Sequence, residues 1–134
     1  MARILIVDDS PSQLMGMKRI VEKLGHEALT AEDGAAGVEA AKRELPDLIL
    51  MDVVMPNLNG FQATRSITRD PSTKHIPVVL VTTKDQETDR VWGMRQGAKA
   101  YLTKPFSESE LSEAIAGTIG AGGPDETPQP PTAA

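Results

Sequence analysis

Residues 48–60 read LILMDVVMPNLNG, and this stretch decides the fold class. Four apolar residues lead directly into Asp52, and an Asn- and Gly-rich turn follows. The apolar run is too short for a buried helix and is typical of a strand that is covered on both faces. A carboxylate at the end of such a strand either caps a helix or takes part in chemistry, and the neighbouring segments have to decide between the two.

The composition is that of an ordinary globular domain. Of the 134 residues, 40% are hydrophobic and 25% are charged, and the formal net charge of −5 argues against nucleic acid as the main partner. Cysteine is absent, which excludes a disulfide framework and a thiolate metal site. No stretch is apolar enough for a signal peptide or a membrane span, so we expect a cytoplasmic protein without membrane insertion.

Strand and helix patterns alternate five times along the chain. Short apolar runs predict strands at residues 3–7, 26–31, 47–51, 77–82 and 99–102. Helical spacing or a cap signal follows each run; Ser10 is expected to cap the first helix, and Ser107 with Glu110 forms a capping box for the last. This alternation predicts a doubly wound α/β fold, in which helices cover both faces of a parallel sheet.

The spacing of apolar residues also predicts which side of a helix faces the sheet. The inner faces are predicted to be Val38, Ala41 and Leu45 in the second helix and Phe61, Thr64 and Ile67 in the third. The fourth helix, residues 85–96, has few apolar positions, and its Trp92 is either a core filler or an exposed anchor for a partner. Close packing or flexibility would explain Gly16 and Gly93, each inside a helix.

The domain is expected to span residues 1–119. The remaining residues, 120–134, are rich in Gly and Pro and lack apolar side chains that could repay the entropy of ordering. We therefore expect a flexible C-terminal tail.

Polar residues stand where the predicted strands end. Asp8 and Asp9 follow the first strand, Asp52 follows the third, Thr82 ends the fourth and Lys104 follows the fifth. In parallel α/β sheets the ligand site lies at the carboxyl ends of the strands. The sequence thus predicts that three carboxylates, a hydroxyl and an ammonium meet at one edge of the sheet.

Three close carboxylates repel one another unless cations neutralise them. Lys104 supplies one positive charge, and a set of oxygen ligands favours Mg²⁺ over zinc. A metal beside a lysine and a threonine hydroxyl suits a phosphoryl group. Asp52, alone on its strand, is the candidate nucleophile for an aspartyl-phosphate, whereas the pair Asp8 and Asp9 is better suited to the metal.

Four segments together resemble the receiver domain of bacterial two-component response regulators. They are Asp8-Asp9, MDVVMPNLNG at 51–60, VTT at 81–83 and YLTKPF at 101–106, and the resemblance covers residues 2 to about 119. It implies a flavodoxin-like (βα)5 fold with a five-stranded parallel sheet in the order 2-1-3-4-5. It also implies that Asp52 accepts a phosphoryl group from a histidine kinase.

The same resemblance assigns the ligands of the metal and the phosphoryl group. Asp8, Asp9, Asp52 and the backbone carbonyl of Val54 are expected to hold Mg²⁺. Lys104 is expected to contact the phosphoryl oxygens.

Further residues correspond to the switch of that family. Thr82 is expected to follow the phosphoryl group through its hydroxyl, and Tyr101 to turn inward as Thr82 moves. Pro105 is expected to follow a cis peptide bond, a conformation essentially confined to X-Pro bonds. Val54 and Lys84 occupy the positions that tune the phosphoryl lifetime, and neither carries an acid or amide that could orient a water, so slow self-dephosphorylation is expected.

The stretch from 81 to 106, VTTKDQETDRVWGMRQGAKAYLTKPF, looks more narrowly like the PilH-type single-domain regulators of twitching motility. The expected function is therefore a phosphorylation switch in a chemosensory phosphorelay, in type IV pilus twitching or chemotaxis. Such a switch promotes its own phosphorylation and dephosphorylation and is not an enzyme for external substrates.

With no further domain after residue 119, we expect a monomer that signals by contact with a downstream protein. The surface for that contact is the fourth helix, fifth strand and fifth helix, where Trp92, Lys99 and Tyr101 lie. Draining phosphoryl groups from a shared kinase is the alternative output.

Two other classes of protein remain as alternatives. Aspartate-nucleophile phosphatases also form an aspartyl-phosphate with Mg²⁺, but their second acid, two residues after the nucleophile, is Val54 here. A flavin-binding module of similar topology would need a phosphate-cradling loop after the first strand, where Asp8 and Asp9 would repel a phosphate.

Overall fold

The computed structural model describes residues 1–119, which fold around a five-stranded parallel sheet. Its strands are β1 (Arg3–Val7), β2 (Glu27–Ala31), β3 (Leu48–Met51), β4 (Val78–Thr82) and β5 (Ala100–Thr103). The strand order is β2-β1-β3-β4-β5, which confirms the predicted doubly wound sheet. The tail predicted for residues 120–134 lies outside the described residues.

A helix follows each strand. The helices are α1 (Pro11–Lys23), α2 (Gly34–Glu44), α3 (Gly60–Arg69), α4 (Glu87–Arg95) and α5 (Glu108–Ile119). α1 and α5 cover one face of the sheet, and α2 and α3 cover the other. None of the helices within residues 1–119 has the length and apolar character needed to cross a membrane.

The core has two layers because successive side chains of a strand point to opposite faces. Under α2 and α3 lie Leu5, Val7, Ile49, Met51, Val78 and Leu80. Under α1 and α5 lie Ile4, Ile6, Leu48, Leu50, Val79 and Val81. All twelve are fully or almost fully buried, so the central strands are covered on both sides as their uninterrupted apolar runs predict.

Side-chain caps fix where several helices begin. The Asp33 carboxylate accepts a hydrogen bond from the backbone N–H of Ala36 at 2.7 Å. The predicted capping box of Ser107 and Glu110 is present, with hydrogen bonds of 2.7 and 3.0 Å. Ser10 is the cap residue of α1, but its side chain makes no capping hydrogen bond. The position of Ser10 confirms the prediction that this residue caps the first helix.

Of the residues predicted to face the sheet, Leu45 does not and Phe61 packs against the core only in part. Leu45 is exposed and ends α2 in a left-handed conformation with φ of 46°. α2 instead buries small residues, because it lies so close to the sheet that a Cβ on Gly37 would be 2.8 Å from Val7 Cγ2. In α3, Phe61 is only partly buried and Ala63 occupies the inner face.

α4 is shorter than predicted and packs on the sheet through a glycine. Val91, Trp92 and Met94 are 45%, 48% and 44% exposed, which excludes Trp92 as a core filler. Gly93 is the one buried residue of this helix. A Cβ at that position would be 2.6 Å from Leu80 Cδ1, so close packing explains Gly93.

Candidate functional site

The acidic residues meet because their strands are neighbours in register. β1 pairs with β3 so that Val7 lies opposite Met51, which places Asp8 beside Asp52 at the carboxyl edge of the sheet. The backbone N–H of Asp52 donates to the Val7 carbonyl at 2.9 Å and continues this pairing. Carboxylate oxygens of Asp8, Asp9 and Asp52 lie within 4.8 Å of one another. The predicted convergence of the three acids is therefore present.

Lys104 reaches this cluster from the end of β5. Its Nζ lies 3.0 Å from Asp8 Oδ2 and 3.4 Å from Asp52 Oδ1. Nζ also contacts Gln13 Oε1 on α1. The peptide bond between Lys104 and Pro105 is cis, in agreement with the expectation from the resemblance. The ammonium thus balances one of the negative charges at the site.

Burial governs the electrostatics of this edge. Asp8 and Asp52 are only 1% and 6% exposed, whereas Asp9 is exposed. Burial raises the pKa of the Asp52 carboxyl; the Lys104 ammonium opposes this rise and the Asp8 carboxylate adds to it. Because the folded chain binds this proton more tightly than the unfolded chain, ionisation of Asp52 lowers stability as pH rises from the ordinary carboxyl pKa to the raised pKa of the folded chain, and lowers it no further above that.

The donor set fits a hard divalent cation. The carboxylates of Asp8, Asp9 and Asp52 offer only oxygens, the ligands that Mg²⁺ takes in proteins. One ammonium leaves excess negative charge among these acids, and a divalent cation would offset it. Asp8 Oδ1 also accepts the backbone N–H of Ser10 at 2.9 Å, which fixes the orientation of that carboxylate.

Thr82 and Tyr101 both form side-chain hydrogen bonds with the backbone of Lys84. Thr82 ends β4 and is fully buried, and its Oγ1 accepts the N–H of Lys84 at 3.2 Å. The Tyr101 hydroxyl donates to the Lys84 carbonyl at 2.8 Å. The Tyr101 side chain is therefore turned inward in this structure, and burial raises the pKa of its hydroxyl.

The remaining predicted positions lie around this edge. Val54 and Lys84 are both exposed, and the Lys84 ammonium lies 3.8 Å from an Asp89 carboxylate oxygen. Of the three residues predicted for the output surface, Trp92 and Lys99 are exposed and Tyr101 is buried.

Two contacts at the site have no counterpart in the predictions. Gln13 contacts Lys104, and Arg90 stacks over the Tyr101 ring at 5.0 Å from its centroid. The Arg90 guanidinium also donates to the Tyr101 carbonyl at 3.1 Å. Both residues lie on helices, whereas the site was predicted from polar residues at the ends of strands.

Comparisons with a family model and with a related protein point to the same family. The family model described as "Response regulator receiver domain" matches residues 4–116. Protein PilH of Pseudomonas aeruginosa is 60% identical over 115 residues, which cover 86% of this chain and 95% of that protein. The residues that the family model matches include Asp8, Asp9, Asp52 and Lys104.

Solved structures agree with the fold. The chemotaxis protein CheY4 of Vibrio cholerae superposes with a TM-score of 0.84 at 29% identity and covers 89% of this chain and 99% of that one. The receiver domain of a Pseudomonas aeruginosa sensor histidine kinase superposes with a TM-score of 0.82 at 32% identity, covering 89% of this chain and 98% of that one. That domain was solved with a magnesium ion coordinated in its active-site cleft.

Proposed function

The chain belongs to the response regulator receiver domain family, and from that premise we propose that Asp52 accepts a phosphoryl group from a histidine kinase. The supporting observation is that the Asp52 carboxylate lies within 4.8 Å of the Asp8 and Asp9 carboxylates and 3.4 Å from the Lys104 ammonium at the carboxyl edge of the sheet. A nucleophile, a cation and further metal ligands there are what phosphoryl transfer to a carboxylate requires.

In the proposed reaction an oxygen of Asp52 attacks the phosphorus of a phosphohistidine on the kinase. The new O–P bond forms as the P–N bond breaks, and the electron pair leaves with the imidazole nitrogen. Asp8, Asp9 and Asp52, with the Val54 carbonyl as a predicted fourth ligand, would hold Mg²⁺. Mg²⁺, when bound, offsets the charge of the transferred group, and Lys104 pairs with one phosphoryl oxygen.

The proposed readout runs through the backbone of Lys84. A phosphoryl group on Asp52 offers the Thr82 hydroxyl an acceptor to donate to, and turning toward it would move Oγ1 away from the Lys84 N–H, whose hydrogen bond Oγ1 accepts. Movement of Lys84 then alters the carbonyl that the Tyr101 hydroxyl holds. The change would reach α4, β5 and α5, where a downstream protein binds; Val91, Trp92 and Met94 are the exposed apolar groups there.

We assign the switch to a chemosensory phosphorelay, that of type IV pilus twitching motility, and place it in the cytoplasm as a monomer. Support comes from the PilH-like stretch at 81–106 and from the 60% identity to PilH. An alternative for the same site is a phosphate sink for a shared kinase. Val54 and Lys84 offer no group to orient a water, so we propose slow self-dephosphorylation. A phosphatase is disfavoured because Val54 stands where its general acid would be.

Phosphate uptake tests the central assignment. The protein is incubated with Mg²⁺ and acetyl phosphate, and the intact mass is followed with time. Wild type should gain one phosphate, and Asp52→Asn should gain none. Asp47→Asn is the matched control, because Asp47 precedes the same strand at its opposite end and is exposed. Uptake by Asp52→Asn at the wild-type rate would overturn the proposal.

A further inference from the structure

Lys104 has a third partner besides the two acids. Its Nζ contacts Asp8 Oδ2, Asp52 Oδ1 and Gln13 Oε1. An ammonium has three N–H donors, so this set can use all of them. Within residues 1–119, Gln13 is the neutral acceptor of the three, and it comes from the first turn of α1.

On the side of α1, Lys104 has few other hydrogen-bond acceptors nearby. Its side chain is only 12% exposed, although Gln13 itself lies at the surface. Next to the two side chains is a cavity of about 430 Å³, whose walls are mostly apolar and include Met17, Ile20 and Phe106. Thr83 also lines this cavity, but the acceptor that Lys104 contacts on this side is the Gln13 amide oxygen, which therefore helps to set where the ammonium lies.

The neutrality of that amide matters once a divalent cation is bound. Asp8 and Asp52 would then share their charge with the metal, and their attraction for the Lys104 ammonium would weaken. An uncharged amide oxygen retains its hydrogen bond to the ammonium. A carboxylate in its place would hold the ammonium more strongly and keep it from an incoming phosphoryl oxygen.

We propose that Gln13 is a positioning residue for phosphoryl transfer. Its amide oxygen holds the Lys104 ammonium at the mouth of the site, where a phosphoryl oxygen arrives. This inference rests on the proposed function and adds to the site a residue of α1 that acts through Lys104.

Two measurements on Gln13→Ala and Gln13→Glu test the role. The first is the phosphorylation rate with Mg²⁺ against acetyl phosphate concentration. In Gln13→Ala the maximal rate should fall about fivefold, the effect of one lost hydrogen bond, while the half-saturating concentration changes little. The second is the acetylation rate of Lys104 in metal-free protein, mapped by peptide mass, which should rise about fivefold for the same reason.

The Gln13→Glu variant separates the holding of the Lys104 ammonium from phosphoryl transfer. It keeps an acceptor for the ammonium, so acetylation of Lys104 should stay as slow as in wild type or become slower. Phosphorylation should nevertheless slow, because the added charge pins the ammonium. Met15→Ala, an exposed substitution on the same helix, should change neither rate.

The outcomes distinguish this inference from the function it rests on. Phosphate uptake by wild type together with an unchanged maximal rate in Gln13→Ala overturns the inference alone, as does an unchanged acetylation rate. No uptake by wild type overturns the proposed function and, with it, the role in transfer. The expected split between Gln13→Ala and Gln13→Glu supports the positioning role.

Discussion

α1 and α4 lie on opposite faces of the same sheet, and they are held there in different ways. α1 buries Leu14, Met17 and Val21, whereas α4 buries only Gly93. Apolar burial contributes roughly 1.5–3 kcal/mol for each large side chain. This stabilising free energy holds α1 on the sheet, and α4 largely lacks it. The difference indicates that α1 provides the fixed side of the site and that α4 is the element able to move.

Polar contacts secure α4 near both of its ends. Beyond its C-terminal end, Gln96 is buried and its carbonyl accepts the Thr68 hydroxyl at 2.6 Å. The N-terminal half of the helix is mostly exposed and contacts β5 through the hydrogen bond of Arg90 to the Tyr101 carbonyl. Elements with few buried apolar contacts open at low free energy. α4 therefore suits a surface that changes on phosphorylation.

The strongest test of this contrast truncates one methionine on each helix. Met17 is 3% exposed and Met94 is 44% exposed. Met17→Ala should lower the free energy of unfolding by about 3 kcal/mol, the usual effect of truncating a buried methionine. Met94→Ala should change it by less than about 0.5 kcal/mol. Urea denaturation measures both, and equal losses would remove the proposed difference between the helices.

The glycines inside the two helices give a second pair, in which the expected signs are opposite. A Cβ on Gly93 would be 2.6 Å from Leu80 Cδ1 and 3.2 Å from the Tyr101 ring, whereas a Cβ on Gly16 meets nothing within 4 Å. Gly93→Ala should lower the free energy of unfolding by about 1.5 kcal/mol through overpacking. Gly16→Ala should raise it by about 0.5–1 kcal/mol, because alanine favours helix.

Thermal and urea unfolding of the two glycine variants would decide whether Gly93 is the closest contact of α4 with the sheet. If Gly93→Ala raised the free energy of unfolding, α4 could move away from the sheet without losing stability. The helix would then be even less constrained than proposed. A destabilised Gly16→Ala would contradict the open space next to α1.

The sheet could be predicted from sequence because its central strands are continuous apolar runs between turn signals. The inner face of α2 could be predicted only in part, at Val38 and Ala41, and that of α4 could not. Both helices approach the sheet through small residues, as the 2.8 Å clearance at Gly37 and the 2.6 Å clearance at Gly93 indicate. Hydrophobic spacing weights large side chains, so it placed Leu45 inside and left α4 without an inner face.

The predicted site follows from the same topology. Parallel strands bring their carboxyl ends to one edge, so Asp8, Asp52 and Lys104 could be grouped before any geometry was known. The contact of Gln13 with Lys104 and the stacking of Arg90 depend on where helices sit and where long side chains point. Neither is encoded in the spacing of residues along the chain.

The smallest expected effect concerns the tie between β5 and the loop that leads into α4. Tyr101→Phe removes the hydroxyl that donates to the Lys84 carbonyl at 2.8 Å and leaves the ring and the Arg90 contact in place. The free energy of unfolding should fall by about 1 kcal/mol, because a partly buried carbonyl loses its donor. Hydrogen exchange should increase in α4 and remain unchanged in α1. Equal increases in both helices would show that the two sides of the site open together, against the contrast drawn between them.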